Sequence, residues 1–222
     1  ASPAELGRMR QQLVATLDVL DATITADGVP LLIESSGPLA VIDPQPGGSL
    51  LLGNGREFGH AGPDGIAAIP GISAAVVAEG ASAVSLNPAQ TTAAFLAADG
   101  TARVVSADTV SVVDARPGLV APSLDEYGWT WSAGPGSPLE AFSSAGVAAG
   151  IAGQAALPPD ASVVSLAVSR DSTRIAVGLA SPAGPRLLVF GIVRSDGAPT
   201  ALDPSLELPA QGAIASVAWV ND

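Results

Sequence analysis

Between Leu6 and Leu20 the apolar positions recur at helical spacing. Leu6, Met9, Leu13, Leu17 and Leu20 are three or four residues apart, and Arg8, Arg10, Gln11 and Gln12 fall largely on the other side. Ser2, Pro3 and Glu5 supply the start: a capping hydroxyl, a proline suited to the first helical position, and the acidic end of a capping box. The period then changes. Ala22 to Ala26 alternates Thr and Ile, Asp27-Gly28 is a type I′ turn signal, and Val29 to Leu32 returns. A helix and a hairpin are too small to bury a core alone. Residues 1–33 are therefore read as the closing part of an α+β domain.

Residues 34–48 are dense in Gly, Pro and Ser and read as a linker. From 49 to 222 the pattern is short strands. Ser49 to Leu52 turns at Gly53-Asn54-Gly55 into Arg56 to Phe58, and after a Gly/Ala-rich stretch come Ser82 to Leu86 and Thr91 to Ala97. Asp99-Gly100 turns into Thr101 to Ser106, and Thr109 to Asp114 follows.

A unit then repeats. Ser85 to Phe95 can be laid on Ala167 to Val177, and Ala121 to Trp131 is a shorter copy with the same strand, polar turn and strand. Ile214 to Trp219 matches the first strand of a further copy. Steps of 38, 44 and 51 residues separate Ser85, Ser123, Ala167 and Ala218. Such spacing, with four strands per unit, predicts β-propeller blades. The expected fold is mainly β: about three blades and the start of a fourth, a propeller cut partway round, with residues 133–160 poorly blade-like.

Composition narrows the function. The net charge is −12, which repels phosphate backbones and anionic lipid, so no nucleic acid and no direct membrane binding are expected. All nine basic residues are arginine, which removes Schiff-base and Walker-type lysine chemistry. Cysteine is absent, so thiol catalysis and disulfides are excluded, and neither a membrane span nor a signal peptide is visible. His60, the one histidine, reads as a loop residue, because a lone histidine makes a poor metal site. Gly53, Gly55 and Gly59 read as hairpin glycines, since no βαβ context supports a nucleotide loop. Asp125-Glu126 reads as a solvated turn: neighbouring carboxylates on a strand point to opposite faces. No catalytic, cofactor-binding or metal residue is assigned, and no cofactor is expected. Tyr127, Trp129 and Trp131 are the candidate partner-contact aromatics, with packing between blades as the competing role for the tryptophans, Trp219 included.

Several stretches resemble the LpqB family of actinobacterial lipoproteins. Arg10 to Leu17, running into the hairpin, resembles the end of that family's second GerMN-type domain. Leu119 to Asp125, with Trp131 downstream, is similar to its Pro-Ser-Trp-Asp…Trp-Thr motif, and Val168 to Val177 to its Val-Ser-Arg-Asp-Gly-x-Arg-Val-Ala-Val motif. Gly191 to Arg194 and Val217 to Val220 follow in order. Ser172 stands where that motif has a turn glycine, and Leu124 where tryptophan is common. The resemblance implies a lipid anchor upstream of Ala1, two GerMN-type domains and a C-terminal propeller. It also implies an extracytoplasmic, membrane-anchored, non-enzymatic accessory of a two-component system. Its implied protein partner is the extracytoplasmic part of an MtrB-type sensor histidine kinase. A propeller hydrolase or lyase, or a purely structural spacer, are the alternative classes.

Overall fold

The computed structural model describes residues 41–44, 50–62, 65–134, 138–152, 160–203, 206–208, 210 and 212–219. The chain divides into two compact units, Ala1–Leu32 and Ile33–Asp222, and every described residue lies in the second. The helix and hairpin expected before residue 33 lie outside the described residues.

Four antiparallel sheets follow one another along the chain. Sheet I is β1 (Val41–Pro44), β2 (Leu50–Gly53), β3 (Phe58–Gly62) and β4 (Gly65–Ala68), in that order. A short helix, α1 (Ser73–Ala78), leads to sheet II: β5 (Ala83–Leu86), β6 (Thr92–Leu96), β7 (Ala102–Ser106) and β8 (Thr109–Asp114). Sheet III holds β9 (Ser123–Leu124), β10 (Thr130–Ser132) and β11 (Glu140–Phe142). Sheet IV is β12 (Ser162–Val168), β13 (Arg174–Ala180), β14 (Arg186–Ser195) and an outer edge shared by β15 (Ala198–Leu202) and β16 (Leu206–Leu208). Both edge pieces pair with β14, so they form one outer strand interrupted after Leu202.

The alternation of side chains explains how the sheets stack. Ala93 and Phe95 on β6 join Leu51, Phe58, Ile72 and Val76 in a core between sheets I and II. Their neighbour Ala94 faces the other way, toward Val104, Leu124 and Phe142 between sheets II and III. Trp131 and Ala141 then meet Val163, Ile175, Val177 and Phe190 between sheets III and IV. Sheet II thus buries both of its faces, which is why residues 93–96 of β6 read as an unbroken apolar run.

A serine hydroxyl on the first strand marks each junction from sheet II onward. Ser85 Oγ accepts from Leu124 N at 3.0 Å, Ser123 Oγ from Val168 N at 3.0 Å, and Ser165 Oγ from Val217 N at 2.9 Å. The last bond shows Ile214 to Trp219 docking on sheet IV as the opening strand of a next unit would. Trp219 Nε1 adds a bond to Ala167 O at 3.0 Å.

Two details differ from the sequence reading. The repeat counted three units from Ser85 on, whereas a further sheet precedes them, and its first strand, Val41–Pro44, falls in the stretch read as a linker. The β2–β3 hairpin is the part the sequence shows; glycine hides the rest, because β3 and β4 contain Gly59, Gly62 and Gly65 and carry little apolar alternation. Sheet III is the reduced one: beyond β11 its pairing is a single bridge, Phe142 to Ala148.

Gly55 turns the β2–β3 hairpin at φ 78°, but Gly59 is not a turn residue. It sits in β3 opposite Ala68, where a Cβ would lie 2.0 Å from the Ala67 carbonyl oxygen. Gly59→Ala is expected to push β4 off β3 and to cost about 1–3 kcal/mol, the range for overpacking. A urea midpoint equal to that of the parent chain would refute this.

Candidate interaction site

The site grows out of the repeat's first turn. Asn87–Gln90, Asp125–Gly128 and Ser169–Ser172 link the first two strands of sheets II, III and IV, and each is closed by an N–H···O bond from its fourth residue to its first, at 2.9, 3.2 and 2.8 Å. The fourth residue is left-handed each time: Gln90 at φ 56°, Gly128 at 82° and Ser172 at 55°. The first residue's side chain accepts from backbone N–H groups across the turn: Asn87 Oδ1 from Thr91 and Thr92, Asp125 Oδ1 from Tyr127 and Trp129, Ser169 Oγ from Arg174. This is the local chemistry by which Asn, Asp and Ser specify turns.

Asp125 does more than close its turn. It is 1 % exposed, so the solvated turn expected at Asp125-Glu126 holds for Glu126 alone. Asp125 Oδ2 accepts from Trp131 Nε1 at 3.0 Å and from Arg194 Nη2 at 2.7 Å. Arg194, on β14, also donates to the Ser172 carbonyl from Nε at 3.2 Å and Nη2 at 3.1 Å, and from Nη1 to the Gly197 carbonyl at 3.0 Å. Ser172 Oγ returns across the junction, accepting from Glu126 N at 2.9 Å. One buried carboxylate therefore ties the turn of sheet III to sheet IV.

The candidate aromatics separate at this point. Trp131 is 0 % exposed inside the core between sheets III and IV, so it cannot touch a partner and is corrected to a packing residue. Trp129 is partly buried against that core. Tyr127 is 52 % exposed yet held: the Arg194 guanidinium lies 4.6 Å from its ring centroid, and a Cβ on Gly197 would stand 3.0 Å from its Cδ1. Trp219 lies elsewhere, with Arg174 at 5.2 Å from its ring.

In an antiparallel meander the turns after the first and third strands share one end. That end of sheets II and III encloses an open depression of about 320 Å³, lined by Thr92, Ser106, Tyr127, Gly128, Trp129, Ser143 and Ser144. Sequence reasoning named its aromatics but missed the hydroxyls and Arg194. An arginine among the apolar residues of Gly191 to Arg194 was the available signal for a buried partner.

His60 is not in a loop. It lies on β3 and its Nε2 donates to Gln90 Oε1 at 2.8 Å, joining sheets I and II. Among the described residues no group of three His, Cys, Asp or Glu is placed to hold a metal ion. None of the described helices is long and apolar enough to cross a membrane.

Carboxylates with lowered pKa values give the stability a pH dependence, Asp99 and Asp114 among them. Hydrogen bonds from the Thr101 hydroxyl and N–H, with Arg103 beside it, lower Asp99 from 3.8 to about 2. At Asp114 burial pushes the pKa up, but hydrogen bonds from Arg116 and Ser132 outweigh it and hold the group below its ordinary 3.8. Lowered pKa values stabilise the fold above the unfolded-state value, and that stability goes as pH falls through the folded-state one. The urea midpoint is expected to drop between about pH 4 and about pH 2. An Asp99→Asn/Asp114→Asn variant should show a shallower drop, and an equally steep one would refute the assignment.

Successive antiparallel sheets stacked face to face through their inner strands make this a β-propeller protein. The chain belongs to the LpqB lipoprotein family: the model of the lipoprotein LpqB β-propeller domain matches residues 31–222. Among solved structures it is similar to a catalytically inactive virginiamycin B lyase from Staphylococcus aureus with quinupristin, at 12 % identity and a TM-score of 0.42. That match covers 81 % of this chain and 64 % of the lyase chain, so the chain spans less than two thirds of its neighbour's length. No curated protein matches.

Proposed function

We propose that this chain is the interaction module of an extracytoplasmic, membrane-anchored lipoprotein. Its partner in this reading is the extracytoplasmic domain of an MtrB-type sensor histidine kinase, and its role is to influence cell-envelope signalling without catalysis. The observation that carries the proposal is the family match over residues 31–222. The site supports binding over catalysis: the depression is lined by hydroxyls and aromatic rings, with no carboxylate, histidine or cation among its side chains. Tyr127, exposed and held in place, is the aromatic contact proposed on this face.

The test is a pull-down of the soluble chain with the kinase ectodomain, followed by titration calorimetry. Binding with a Kd on the order of micromolar is expected. Clean failure of both assays at that concentration would remove the kinase from the proposal. Signalling that survives loop mutations which leave folding intact would favour a structural spacer.

A further inference from the structure

We infer that the depression between sheets II and III is a binding site for an uncharged saccharide. The inference goes beyond the proposed kinase partnership and stands whether or not that partnership exists.

What the depression offers a ligand decides its class. The backbone donors of the surrounding turn are already spent: Tyr127 N and Trp129 N on Asp125 Oδ1, and Gly128 N on the Asp125 carbonyl. Thr92 N is taken by Asn87 Oδ1 and Ser143 N by the Val147 carbonyl. A peptide recognised through its main chain would need such groups free. Side chains remain. Thr92 Oγ1 donates to Ser106 Oγ at 3.4 Å and Ser143 Oγ accepts from Val147 N at 3.2 Å. That leaves the Ser106 and Ser143 O–H donors and further acceptor lone pairs on these hydroxyls, beside the Ser144 hydroxyl, the same repertoire as sugar hydroxyls. Tyr127 and Trp129 also line it, and an aromatic ring offers an apolar surface suited to the C–H face of a pyranose.

Charge points the same way. The lining carries none, so an anionic or cationic ligand would enter without a counter-ion. Arg194, which lies against the Tyr127 ring, is committed to Asp125, Ser172, Gly197 and that ring. The volume, about 320 Å³, is at the lower end for small-ligand sites and suits one or two sugar rings. The platform is also preorganised: Asp125 fixes the turn while Arg194 and Gly197 fix the tyrosine ring, so little ordering entropy remains to oppose binding.

The experiment is saturation-transfer NMR and tryptophan fluorescence on the whole chain. The probes are maltotriose, triacetylchitotriose and hexaproline. At least one trisaccharide should bind saturably, with a Kd on the order of millimolar or tighter. Tyr127→Ala should weaken that binding about tenfold or more. Ser144→Trp, at an exposed turn position, should do the same by filling the space without touching the Asp125 network. Urea midpoints within error of the parent chain show that both variants are folded. The inference is overturned if neither trisaccharide saturates, if hexaproline binds instead, or if both folded variants bind sugar as the parent does.

Discussion

Asp125→Ala is expected to destabilise the domain by about 3–5 kcal/mol, the cost of removing one partner from a buried ion pair. The side chain is fully buried and accepts from four donors: two backbone N–H groups, the Trp131 indole and the Arg194 guanidinium. Alanine leaves the indole N–H in the core without an acceptor and Arg194, 12 % exposed, without its counter-charge. The carbonyls of Ser172 and Gly197 still hold part of the guanidinium, which keeps the loss from exceeding that range. Removing the cation as well should help: Asp125→Ala/Arg194→Met is expected to be less destabilised than the two single losses summed, because neither charge is then stranded. Equilibrium urea unfolding reads all three variants. A loss below about 1 kcal/mol for Asp125→Ala would mean that the pair contributes no more than a surface salt bridge.

How legible this was in the sequence depends on the range of each interaction. The repeated turn is local, so its polar opening residues and the unit spacing near Ser85, Ser123 and Ala167 could be read directly. Ser172 looked like a departure from its motif's glycine. The structure gives the reason: it accepts the left-handed conformation at φ 55° and uses its hydroxyl to receive Glu126 N from the neighbouring sheet, which glycine cannot do. Asp125 was misread because Asp-Glu-Tyr-Gly has the composition of a wet turn, and nothing local announces a guanidinium 69 residues away. Sheet I escaped for the opposite reason. Its β2–β3 hairpin is legible at Gly53-Asn54-Gly55, but the pairing of β4 rests on close backbone approach at Gly59, a feature without an apolar signature.

The aromatics show the same division, and they carry the second large effect. Spacing alone puts Trp129 and Trp131, two residues apart, on one face of a strand, and both do contact the core between sheets III and IV. Exposure was beyond its reach, because that depends on sheet IV arriving from later in the chain. Trp131→Ala is therefore expected to cost about 3–5 kcal/mol, the range for deleting a buried large aromatic. The cavity opens among Val163, Ile175, Val177 and Phe190, and Asp125 loses its indole donor as well. Trp131→Phe separates the two contributions. It keeps most of the ring volume but not the N–H, and should cost about 1–2 kcal/mol, mainly the unmade bond to a buried charge. Introduced into an Asp125→Ala background, Trp131→Phe should cost less than it does alone, because its acceptor is already gone. Equal costs in the two backgrounds would show that the indole–carboxylate bond adds nothing to the packing of Trp131, and that the core alone fixes the ring.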